Sequence, residues 1–274
     1  MNPAVHALST LLPILYLVVT CLYGMEFGGP NAPRAAGVRR ATSLLLLVVH
    51  GVFFALLWDL VGHFPVVDFW TTVSLLALAV LVVYLPVEGM AKAPSTGPFV
   101  LGFASLLQLL ASCFLLEVAP STLGSSPFFA IHIATIVFAV AALLLSGFFG
   151  ALYLVLLRQI RSRQFGVLFR RLPDLESLSR LNRASATIGF VLLTLGLNVG
   201  IGWAHSGAVE DFDYLDPKVL PVLLLWIVFG LIGSSRWLRF LSGRRAAIVA
   251  VTAAMLLIFA VVVSFLPLGS IHES

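Results

Sequence analysis

Six histidines are the residues best suited to chemistry in this chain of 274: His6, His50, His63, His132, His205 and His272. Neutral imidazole is the commonest protein ligand for metal ions, so the placement of these side chains decides whether they read as a site. Other signatures of chemistry are missing. The sequence holds no glycine-rich phosphate loop, no HExxH helix and no nucleophile elbow. Cys21 and Cys113 lie far apart in apolar runs, form no CxxC pair, and read as small buried hydrophobes. Carboxylates are nearly missing from the apolar runs, which argues against an ion-coupled transporter.

The elements that must position these residues follow from composition. The chain is 60% hydrophobic and 10% charged, with mean hydropathy +1.08. A soluble domain carries about 25% charged residues, so this chain cannot cover a water-facing surface and must dissolve in lipid. A hydrocarbon core about 30 Å thick needs roughly 20 apolar residues of helix. Eight runs fit that length or come near it: 5–23, 41–61, 69–85, 99–116, 128–157, 184–204, 219–237 and 246–266. Helix is the choice for each, because backbone groups in lipid must be satisfied within the segment and the alternation of a membrane barrel is absent. The first run lacks a basic start and a small-residue cleavage site, so it reads as a true span. The expectation is an all-α, polytopic bundle of about eight spans, a single integral membrane domain over residues 1–274.

Charge then orients the bundle. Arg34, Arg39, Arg40, Lys92, the seven arginines from Arg158 to Arg183, Arg236, Arg239, Arg244 and Arg245 all fall on one side of an eight-span chain, and Lys218 alone falls on the other. The positive-inside rule makes the rich side cytoplasmic and places both termini on the non-cytoplasmic side. The sequence pI of 9.4 thus reports membrane topology rather than nucleic-acid binding. Five histidines, His6, His63, His132, His205 and His272, then gather at the outer face, and His50 sits mid-span; such a gathering invites a metal or haem-iron site. On the inner side, Leu172, Leu175, Leu178 and Leu181 recur every third residue after Pro173 and Asp174. That pattern predicts a short amphipathic helix at the interface, a connector or the dock of a cytoplasmic partner.

From Phe128 to His272 an ordered set of features carries a resemblance. His132 opens a long span. Leu172-Pro173-Asp174-Leu175-Glu176 follows in the basic loop, then Ile188-Gly189-Phe190, Leu195-Gly196-Leu197 and Gly202-Trp203-Ala204. Asp216-Pro217-Lys218 ends the outer loop, Trp226 lies eight residues on, Gly243-Arg244-Arg245 precedes the last span, and His272 follows it. Upstream, Gly62-His63-Phe64-Pro65 matches as well. In this order the pieces resemble the cytochrome c assembly family of membrane proteins, which includes CcsA, CcmC and HemX; length and span plan are most similar to the HemX-type branch.

The resemblance implies a site. In the family a tryptophan-rich outer segment presents haem between two outer histidines, which fall here on His132 and His272 as iron ligands. Asp216 would end the platform and orient a ligand, and Trp203 and His205 would join the cofactor-binding set. The family's tryptophan positions hold Val209, Asp213 and Leu215, with Phe212 and Tyr214 remaining, and its further histidine aligns with Ser234. Three readings follow. One is a haem-handling or haem-biosynthesis accessory protein of the plasma membrane, without catalytic chemistry of its own. Another is a component of cytochrome c maturation that delivers haem to apocytochrome. The third is a haem-free scaffold that keeps the fold. Lipid surrounds each, and a membrane or cytoplasmic protein of the haem or cytochrome c pathway is the expected partner.

Overall fold

The computed structural model describes residues 3–28, 32–91, 93–115, 125–163, 165–205, 219–238 and 240–265. Among these residues every regular element is a helix: α1 (Pro3–Gly28), α2 (Ala32–Val61), α3 (Phe69–Ala91), α4 (Gly97–Phe114), α5 (Pro127–Arg161), α6 (Val167–Arg171), α7 (Leu175–Trp203), α8 (Val219–Gly233) and α9 (Arg244–Phe265). Helices α1 to α5 and α7 are long and apolar enough to cross a bilayer. Helix α8 is shorter, at 15 residues, and α9 has 22. The chain is an all-α, multi-pass membrane protein.

Local chemistry sets the helix ends. Asp68 Oδ1 accepts the Thr71 amide at 2.9 Å and so caps the start of α3. Ser126 precedes Pro127, the first residue of α5, where a missing N–H costs nothing. Gly62, at φ +71°, closes α2, with its amide bonded to the Trp58 carbonyl; a left-handed residue here favours glycine. Asp174 caps α7 by accepting the Ser177 amide at 2.8 Å. Hydrogen bonds from Ser177, side chain first and backbone second, hold the Asp174 carboxyl below its usual range. The cap therefore supports the fold above the ordinary carboxylate range and fades as pH falls through the lowered value.

This cap corrects one expectation. The leucine repeat after Pro173 does not form a separate helix on the interface. It is the first part of α7, which runs unbroken to Trp203, and Leu178 and Leu181 are buried in the bundle. The apolar period belongs to a core-facing helix, and the burial it gains there exceeds what one shallow face in the headgroups would give. The cysteines also differ from expectation. Cys21 and Cys113 are both exposed on the chain's surface, where a small apolar side chain is as much at home in lipid as in the core.

Helix α5 is the hub, packed against α3, α7 and α9 and most extensively on α7. The pair runs antiparallel: Gly200 faces His132, Gly196 faces Ile136 and Gly189 faces Leu143. Between lipid-immersed helices the hydrophobic effect offers little attraction, so close van der Waals packing through small residues must supply it. Gly150 and Gly147 do the same against Ala247 and Ala250 of α9. Trp226 of α8 donates its indole N–H to Thr194 of α7 at 2.7 Å.

The first four helices are joined differently, by polar side chains. Tyr16 Oη and His50 Nδ1 lie 3.0 Å apart, His50 Nε2 and Ser74 Oγ 3.2 Å, Ser74 donates to Gln108 Oε1 at 3.0 Å, and Gln108 Nε2 donates to Ser112 at 3.1 Å. One chain of hydrogen bonds thus links α1, α2, α3 and α4. His50 is fully buried with both ring nitrogens engaged, so it is a structural histidine, stacked on Phe54. One carboxylate also packs inside the bundle. Helix α3 runs six residues past its apolar run to Ala91, which carries Glu88, 7% exposed, into the packed bundle.

A substitution separates the glycines that packing requires from those it does not. A Cβ at Gly150 would lie 2.9 Å from the Ala247 carbonyl oxygen and 3.1 Å from Asn182 Nδ2, whereas one at Gly51 meets nothing within 4 Å. Gly150→Ala is expected to cost about 1–3 kcal/mol, read as a lowered midpoint of thermal unfolding in detergent, and Gly51→Ala to cost nothing measurable.

Candidate functional site

His132 lies in the second turn of α5, on the face that meets α7. Its Nδ1 is 2.8 Å from the Gly196 carbonyl oxygen. A carbonyl only accepts, so Nδ1 carries the proton and Nε2 keeps its lone pair. Among the described residues Nε2 has no hydrogen-bond partner. Metal-ligating histidines are commonly held in this way, one nitrogen bonded to a backbone oxygen and the other left with its lone pair. The hydrogen bond fixes the tautomer and the ring plane before any ligand arrives.

Glycine makes the seat. A Cβ at Gly200 would fall 2.6 Å from Cε1 and Nδ1 of His132 and 3.4 Å from Nε2. A side chain here would have to displace the imidazole, so glycine lets the ring sit close against α7. One turn earlier in α7, Gly196 gives the same clearance to Ile136. At the open end, Trp203 meets Phe129 edge to face, ring centroids 5.6 Å apart. Phe129 and His132 of α5 therefore interleave with Gly196, Gly200 and Trp203 of α7, forming one continuous surface at this end of the bundle. The contribution of Phe129 and of the Gly196 carbonyl is not visible from residue type. The signal that pointed toward them was the pair of glycines four residues apart.

His205 lies two residues after Trp203, just beyond α7. It is exposed, and its Nδ1 donates to the Ile201 carbonyl at 2.9 Å, so this ring is also fixed by backbone. The structure thus brings His132, Trp203 and His205 to one end of the α5–α7 pair. Asp216 and His272 lie outside the described residues. His63 is 7% exposed and its Nδ1 donates to the Phe64 carbonyl at 2.9 Å, a tight turn beyond α2. Around it Trp58 packs on Phe64 and Trp70 stacks on Phe114, centroids 4.6 Å apart, as aromatic residues do at a membrane boundary. His6 is exposed near the start of α1, beside Thr10.

Among the described residues no three histidine, cysteine or acidic side chains gather as a metal cage. A lone histidine with one committed nitrogen could hold the iron of a macrocycle that supplies its other ligands itself. His132 is half-buried, and its tautomer suits that role.

Comparison with known proteins places the chain as a whole. Residues 38–271 match the family described as Cytochrome C assembly protein. Relatives named "Cytochrome c biogenesis protein CcsA" include those of Prochlorococcus marinus strains MIT 9303 and MIT 9313, each 29% identical over 279 residues, covering 89% of this chain and 85% of the relative. A third, from Synechococcus sp. strain CC9902, is 26% identical and covers 89% of this chain and 88% of the relative. The relatives carry the CcsA name rather than HemX. With that match spanning the helices that build the His132 seat, the chain belongs to the cytochrome c assembly protein family.

Proposed function

We propose that the chain is a membrane component of cytochrome c maturation that holds haem at the end of the bundle bearing His132, for transfer to an apocytochrome. One observation carries the reading: His132 has its Nδ1 committed to the Gly196 carbonyl and its ring held against Gly200, which leaves Nε2 as a preset ligand nitrogen. The CcsA names of full-length relatives favour delivery over the HemX-type accessory role. His272 is the second proposed iron ligand, and Asp216 a group that orients it. Haem, when bound, would supply an iron that His132 and His272 would hold through imidazole nitrogens.

The chain's own residues do the rest. The Gly196 carbonyl holds the Nδ1 proton and so makes Nε2 the more basic nitrogen. Trp203 and Phe129 offer ring faces and edges beside it, and His205 stands at the same end as a further imidazole. An eight-span plan in a plasma-type membrane adds α8 and α9 to the six helices long and apolar enough to cross a bilayer. That plan puts His132 and both termini on the non-cytoplasmic side and the arginines inside.

Protein purified from haem-replete cells is expected to show a b-type haem absorption spectrum, and His132→Ala combined with His272→Ala to abolish it. A colourless protein that takes up no added haem would overturn the proposal. Gly200→Ala keeps both histidines yet displaces the His132 ring, so haem affinity should fall about 10–100-fold while unfolding in detergent stays cooperative. In a host reconstituted for cytochrome c maturation, the chain with its partner should restore covalent haem attachment to an apocytochrome, and the double alanine variant should not.

A further inference from the structure

A second set of ionised side chains lies at the opposite, arginine-bearing end of the bundle. Glu26 near the end of α1, Arg39 early in α2 and Glu88 near the end of α3 meet there. Arg39 Nε is 2.7 Å from Glu26 Oε2, and its Nη1 pairs with Glu88 Oε1. Tyr23 donates to Glu88 Oε2 at 2.6 Å, and the guanidinium lies 4.5 Å from the Tyr23 ring centroid. The charged side chains are only 9–13% exposed. Two carboxylates therefore share one guanidinium.

Beside this cluster opens a cleft of ≈ 570 Å³, within the range of small-molecule sites, about 300–1,000 Å³. Leu44, Leu85 and Pro86 form an apolar wall. Arg40 also lines the cleft; it is exposed and makes no ion pair among the described residues. The cleft therefore has surplus carboxylate inside, a guanidinium at its mouth, and apolar surface along one side. Its residues come from the last turns of α1 and α3 and the early turns of α2, the depth at which lipid headgroups lie. An anionic lipid would satisfy Arg40 and leave the carboxylate surplus facing more negative charge. A soluble zwitterion would leave the wall bare.

We infer that this cleft binds a zwitterionic phospholipid with a primary ammonium headgroup, its ammonium toward Glu26, its phosphate at Arg40 and an acyl chain along Leu44 and Leu85. The site stands apart from the haem reading and does not depend on it. The test uses the full chain, delipidated in detergent and titrated with short-chain phosphatidylethanolamine, phosphatidylcholine, phosphatidylglycerol and soluble glycerophosphoethanolamine, with bound lipid counted by native mass spectrometry. Phosphatidylethanolamine should bind about tenfold more tightly than the other three. Arg40→Gln and Leu44→Trp, both at exposed positions, should each remove that preference; the second fills the wall and leaves every charge in place. Equal or tighter binding of phosphatidylglycerol or phosphatidylcholine overturns the site. So does a preference that survives in both variants, or soluble headgroup binding as tightly as lipid. If a variant fails to fold, the order of affinities in the unaltered protein decides.

Discussion

Close approach of α5 to α7 is the contact on which the candidate site depends. Lipid tails compete equally for every apolar side chain, so two helices stay together only where their surfaces fit better than lipid fits either. Gly189, Gly196 and Gly200 remove the side chains that would hold the backbones apart. The same clearance that permits packing also permits the His132 ring to lie on α7 and reach the Gly196 carbonyl. Packing and ligand geometry are thus one feature, and neither helix alone would fix the imidazole.

The two parts of the bundle are held by different physics. Around α5, α7, α8 and α9, small residues and apolar side chains such as Leu143, Leu193 and Phe229 make the core. Among α1 to α4, the Tyr16–His50–Ser74–Gln108 chain crosses the interior. Such hydrogen bonds are worth about 0.6 kcal/mol each in lipid, up to about 1.7, because partners are also found before packing. Their larger effect is geometric: His50 can satisfy both nitrogens in only one mutual register of three helices. The first part thus adds polar matching across four helices to its apolar core, whereas the second relies on shape together with single pairs such as Ser146 to Asn182 and Trp226 to Thr194.

Much of this was legible in the residues. Long apolar runs between clustered arginines predict helices, and α1, α2, α4 and α5 fall where the runs lie. Glycines four apart in α7 and a histidine opening α5 pointed to the right pair of helices. Other features were hidden. The third apolar run stops at residue 85, yet α3 continues through Glu88, whose carboxylate finds Arg39 and Tyr23, forty-nine and sixty-five residues away. The leucine period after Pro173 looked like a surface helix because periodicity shows that one face is apolar and says nothing about what covers it. The tautomer of His132 depends on a backbone carbonyl, which every residue has, so no residue type could announce it.

The length of α5 has a consequence for the surrounding bilayer. With 35 residues, this helix is about 52 Å long at 1.5 Å per residue. A hydrocarbon layer about 30 Å thick is far thinner. The mismatch is relieved by tilt or by projection into the interface, so the hub of the bundle must lean or stand proud of the lipid around it.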